Sequence, residues 1–201
     1  MPDKYLKYFF RWIVLLLIVL MAACTRPNKT EATHFNIDSL LNKQVVDLWS
    51  LKASLTKEGN IGETKQDTLL TALDTTRWRK ELDIFTEIGL INKPAYRVLY
   101  TMKDGLADAS SNLTIREFET THELPVRYLK LFYLDDLQKL RKVEALIRQE
   151  NALLKTQRKL VMEFSDVYNK NVLTSYSIEG GQKMLAGDSV HFILNGIVQF
   201  N

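Results

Sequence analysis

A single cysteine, Cys24, stands in 201 residues, so no disulfide can form within the chain. Stability must then come from a hydrophobic core, which a chain of this length can build. Histidine is nearly as scarce. His34, His122 and His191 share no close spacing with each other or with cysteine, so no metal site of the usual types is expected. No glycine-rich loop has phosphate-binding spacing, even at Gly180-Gly181, and no serine has the context of a nucleophile elbow. No cofactor is expected. No apolar run reaches the roughly 20 residues needed to cross the hydrocarbon core of a bilayer. The longest clean run, residues 13–23, falls well short of it.

That short run has telling neighbours. Lys4, Lys7 and Arg11 precede it against the single acid Asp3, and Ala22-Ala23 close it. A basic start, a short apolar stretch and small residues at a cleavage point make a secretory signal. Met21-Ala22-Ala23-Cys24 resembles the lipobox of bacterial lipoproteins, in which a Leu-like residue and two small residues precede the cysteine. The resemblance covers residues 1–24. It implies cleavage before Cys24, a diacylglycerol on its sulfur and an acyl chain on its new amino group. Each buried methylene of such an anchor contributes about 0.8 kcal/mol. By the family's sorting rule, Thr25 after the cysteine implies the outer membrane. The expected address is therefore the bacterial cell envelope, facing the periplasm.

Removing residues 1–23 takes most of the net charge of +3 with it. A nearly neutral remainder lacks the basic excess that nucleic-acid binding requires. Residues 24–35 read as a tether: polar, aperiodic and carrying Pro27. Residues 36–201 then form one domain, a length typical of one.

Its first part, 36–90, reads as helical. Ile37, Leu41, Val45, Leu48, Leu51 and Leu55 follow at helical spacing, with Asn36 or Asp38 as cap. Leu69, Leu70 and Leu73 suggest a second helix over 65–73. Trp78, Leu82, Phe85 and Ile88 mark a third, capped within Asp74-Thr75-Thr76. Trp49 and Trp78 are expected in the core.

From Pro94 the period changes to two. Strands are expected at 96–103, 113–121, 126–134, 172–179 and 190–198, with a loop from Asp104-Gly105 to Ser111. Residues 136–164 have helix-forming composition, but Leu154 to Phe164 alternate and Asn151 offers a turn. Two strands, 142–149 and 153–164, are preferred over one long helix. Gly180-Gly181 is a hairpin turn, a bulge or a close backbone approach to a ligand. The fold class is α+β: N-terminal helices packed on a curved antiparallel β-meander of about seven strands over 94–199. That architecture is analogous to the half-barrel carriers of lipids and lipoproteins, without any shared motif.

No catalytic constellation emerges. Glu117 and Glu119 lie two apart on one strand face, about 6.6 Å along it, near the spacing of glycosidase carboxylates. Arg97, Lys103, Arg127 and Lys130 on neighbouring strands make ion pairing the simpler reading. The lysines and arginines of 97–103, 127–130, 141–148 and 155–159 read as a solvated, ion-paired sheet face that could also meet acidic headgroups. The expectation is a non-catalytic lipoprotein acting as an interaction or accessory component of an envelope complex. Its alternative is binding or carriage of a lipid or other apolar ligand, with Tyr96, Tyr100, Tyr128 and Phe132 as contacts. A hydrolase using Glu117 and Glu119 comes last.

Overall fold

The computed structural model describes residues 34–62, 64–184 and 189–200. Cys24 and the signal lie outside them. Helix α1 spans Ile37–Ser50, and the Asn36 side chain accepts from the Ser39 amide to start it. Ile37, Leu41, Val45 and Leu48 bury its inward stripe. Trp49, one position off that stripe, is 53% exposed rather than in the core.

The helix stops where the stripe seemed to continue. Lys52 adopts a φ of 51°, and the amides of Lys52 and Ala53 donate back to the Trp49 and Leu48 carbonyls. This is a Schellman cap with lysine where glycine is usual, so the sequence gives no stop signal. Residues 54–70 are accordingly not helical. They form a hairpin of β1 (Ser54–Ile61) and β2 (Thr64–Leu70). Leu51 and Leu55 extend the helical spacing by coincidence: Leu55 is buried as a strand residue.

Helix α2 (Thr75–Leu82) is capped by the Asp74 carboxylate, which accepts from the Arg77 amide. It runs into a 3-10 segment, Asp83–Asn92. Trp78, Leu82, Phe85, Ile88 and Ile91 bury one continuous stripe across both. The next strand starts later than expected. Pro94–Arg97 is a single helical turn, α3, with Pro94 in its first turn. Strand β3 is Thr101–Ala107, and Asp104-Gly105 is a bulge inside it rather than the start of a loop. Gly105 has a φ of 77° there.

The remaining strands are β4 (Thr114–Glu119), β5 (Val126–Tyr133), β6 (Leu140–Glu150), β7 (Leu154–Val167), β8 (Lys170–Met184) and β9 (Ser189–Gln199). The segment 136–164 is thus two strands and not a long helix. Asn151 makes the turn between them, its side-chain oxygen accepting from the Leu153 and Leu154 amides.

All nine strands join one antiparallel sheet in the order β2-β1-β9-β8-β7-β6-β5-β4-β3. The sheet is curved and open, and most of the described chain is strand. The meander from β3 to β9 has the seven strands expected; the unforeseen pair is β1 and β2, which docks on β9.

Register separates the faces cleanly. Phe118, Leu129, Ala145, Leu160, Ile178 and Leu194 stand side by side across six strands and face the helices. One residue earlier or later in each strand, Glu117, Lys130, Glu144, Val161, Ser177 and Asn195 form the matching row on the other face. The helical layer bears on β5, β6 and β8. Fully burying one such leucine or phenylalanine contributes about 1.5–3 kcal/mol.

Gln44 joins the layers. It is 1% exposed; its Nε2 donates to the Asn171 carbonyl at 3.2 Å and its Oε1 accepts from the Leu173 amide at 2.8 Å. Those backbone groups lie beside the bulge at Thr174, where register shifts between β7 and β8. The side chain supplies hydrogen bonds that the ladder drops there.

Gly180-Gly181 turns no corner, because β8 runs straight through it. A Cβ at Gly180 would come within 2.7 Å of the Phe192 ring and 2.8 Å of the Gln157 carbonyl. A Cβ at Gly196 would come within 2.2 Å of the Tyr176 ring. The close approach at these glycines is by the chain's own aromatics.

A candidate ligand cleft at the end of the helical layer

The helical layer is shorter than the sheet. Beside that layer, over β8, β9 and β2, opens a cleft of about 730 Å³ with a partly buried apolar floor. Ile178 of β8, Leu194 of β9 and Leu70 of β2 line it from the sheet, with Leu73 and Ile84 from the helical side. Its volume lies within the usual range for small-molecule sites.

Charged groups of α2 and the 3-10 segment form its rim. Two of the acids fasten the layers together. Glu81 pairs with Lys57 of β1 at 2.7 Å and accepts a short hydrogen bond from the Tyr176 hydroxyl. Burial, then this carboxylate, push the Tyr176 phenol well above its ordinary range. Glu87 accepts from both guanidinium nitrogens of Arg158, at 3.0 and 2.8 Å. Arg77, Lys80 and Asp83 have no ion-pair partner among the described residues. The unpaired rim therefore carries a one-charge positive excess over an apolar floor.

The four aromatics expected to contact a ligand do not converge on this cleft. Tyr100 is buried, and its hydroxyl donates to the Val126 carbonyl at 2.6 Å. Burial and the neighbouring Tyr96 push its phenol up to about 12. Tyr96 lies on α3, half-buried against the core. Tyr128 and Phe132 occupy the opposite sheet face. The Tyr128 hydroxyl donates to Glu144 at 3.0 Å, and Lys142 sits 4.3 Å above the Phe132 ring.

Glu117 and Glu119 share a face, each with its own lysine: Glu117 with Lys130 at 3.1 Å, Glu119 with Lys103 at 3.2 Å. Nearby Glu144 takes Lys142 and Lys159 at 3.4 and 3.5 Å. Burial would raise the Glu144 carboxyl, but Tyr128 and the two lysines outweigh it and hold it below its usual range. His34 is anchored between Asn92 and Arg97, His122 sits in an exposed loop, and His191 lies against Gly181. Among the described residues no three His, Cys, Asp or Glu side chains gather as a metal site, and no helix is long and apolar enough to cross a membrane.

The sequence does not reveal the cleft because Leu70 and Leu73 read as helix, and Ile178 and Leu194 only as members of two alternating strands. No family model matches the chain, and no curated protein or solved structure matches it either.

Proposed function

We propose that this is a non-catalytic lipoprotein of the bacterial envelope, anchored through Cys24 at the outer membrane and facing the periplasm, that binds an amphiphile. The apolar part lies on Leu70, Ile84, Ile178 and Leu194, and an anionic head meets Arg77 and Lys80. The observation that carries this reading is the cleft itself: a partly buried apolar floor beneath two cations that have no ion-pair partner among the described residues. Amphiphiles of this kind include fatty acids and lysophospholipids.

Displacement of a fluorescent fatty acid from the purified protein tests it. Leu194→Glu should abolish binding. Arg77→Glu with Lys80→Glu should weaken a fatty acid several-fold and leave the matching fatty alcohol nearly unchanged, since only the carboxylate feels the cations. Absence of saturable binding to the parent protein would remove the reading.

The second reading is an accessory subunit of an envelope complex. It is favoured by the open sheet, in which β2 and β3 each keep one side unpaired among the described residues. Both edges also resist strand addition: Lys65 and Asp67 on β2, Lys103 and the bulge on β3. For that reason ligand binding is placed ahead. A stoichiometric protein partner co-purifying from the native membrane, without ligand binding, would reverse the order.

A further inference from the structure

The chain enters the described domain at a fixed point. The His34 amide donates to the Asn92 side-chain oxygen at 2.8 Å, and His34 Nε2 donates to the Arg97 carbonyl at 2.9 Å. Asn92 returns a hydrogen bond to the Phe35 carbonyl at 2.7 Å. The His34 ring packs 4.9 Å from Phe118 and 6.2 Å from Tyr100, centre to centre.

An apolar patch adjoins this entry point. Met102 stands opposite Phe118 in the β3–β4 register. Val98 and Leu99 follow Arg97 directly. All three are exposed: Val98 by 74%, Met102 by 54% and Leu99 by 36%. They lie at the corner where the sheet's edge strand meets α3, and among the described residues no helix covers them.

Only nine residues, 25–33, lie between Cys24 and His34, making ten Cα–Cα steps. Fully extended they span at most about 35 Å. If Cys24 carries the lipid, the corner beside His34 is held within that distance of a bilayer for the lifetime of the anchor. At the high effective concentration of a short tether, even weak insertion is populated.

We propose that Val98, Leu99 and Met102 rest in the bilayer that holds the anchor, fixing the domain's orientation on it. This rests on the lipid-anchor reading and is independent of the cleft. Lys93, its ammonium 5.7 Å from the Tyr96 ring centre, lies just before α3 and can reach headgroups, whereas Lys103 neighbours Met102 in β3 but points to the other sheet face, 3.2 Å from Glu119. Lys103 is already paired, so apolar insertion carries the contact and salt has little effect on it.

The scarcity of cysteine makes the test direct. In the mature lipidated protein the Cys24 sulfur is blocked, so Val98→Cys introduces the one free thiol for an environment-sensitive fluorophore. Ile61→Cys is the control: it is exposed by 63% and lies on β1, seven strands from β3. In vesicles of phosphatidylethanolamine and phosphatidylglycerol, the label at 98 should shift to the blue and be quenched several-fold more than that at 61 by quencher-bearing lipid. The difference should persist in high salt, with both variants melting like the parent. Equal quenching at the two positions overturns the proposal. So does a shift in detergent that grows with protein concentration, which assigns the patch to a second copy. A free thiol in the unsubstituted protein refutes the anchor itself, and the two failures are thereby told apart.

Discussion

The two faces of the sheet are built from the same strands, one residue out of step, and they do different work. Toward the helices, Phe118, Leu129, Ala145 and Leu160 exclude water entirely. On the other side, Glu117, Lys130 and Glu144 alternate in sign across three strands and stay partly wet. The first face supplies the free energy of folding. The second supplies solubility and cross-strand ion pairs, Glu117 with Lys130 and Lys130 opposite Glu144, that favour the native register.

That contrast can be broken most severely from the buried side. Leu129→Ala should cost about 3 kcal/mol, which lowers the melting temperature by roughly 2–4 °C per kcal/mol in a domain of this size. Gly196→Ala should cost about 2–3 kcal/mol, because the new methyl meets the Tyr176 ring, itself buried and held at Glu81. Gln44→Leu keeps the volume but orphans the Asn171 carbonyl and Leu173 amide; a loss of about 2 kcal/mol in denaturant titration is expected.

The charged face should respond weakly, and in its own direction with pH. The folded protein holds the Glu144 carboxyl below its ordinary 4.5, so the stability this contributes is present above that pH and lost as pH falls through the folded value. Glu144→Gln should cost about 1 kcal/mol at neutral pH, and its melting curve should converge with the parent's in acid. Lys130→Ala should cost less than about 1 kcal/mol and become neutral in high salt. If Lys130→Ala proved as damaging as Leu129→Ala, the division of labour between the faces would be wrong.

The strands were legible where alternation was strong. Leu154 to Phe164 revealed β7 against a helix-forming composition, because the period of two places Leu160, Met162 and Phe164 on one face. The hairpin at 54–70 was not legible. Its strands are polar, β2 is exposed almost throughout, and Lys52 hides the helix stop that a glycine would have announced. Missing that hairpin also hid the cleft, since Leu70 helps to line it. Gly180 was ambiguous for a related reason: Phe192, the aromatic that fills its gap, lies on β9, and only register brings the pair together.

The pairing of β1 with β9 also sets an order of assembly. Leu55 lies opposite Val198, joining the beginning of the domain to its end. The meander from β3 to β9 can zip up through neighbouring hairpins at small entropic expense, whereas β1 must wait for the last strand to emerge. During synthesis the first hairpin therefore exists without a dock. Its polar, lysine-bearing strands suit that interval, since a hydrophobic pair left waiting would invite aggregation.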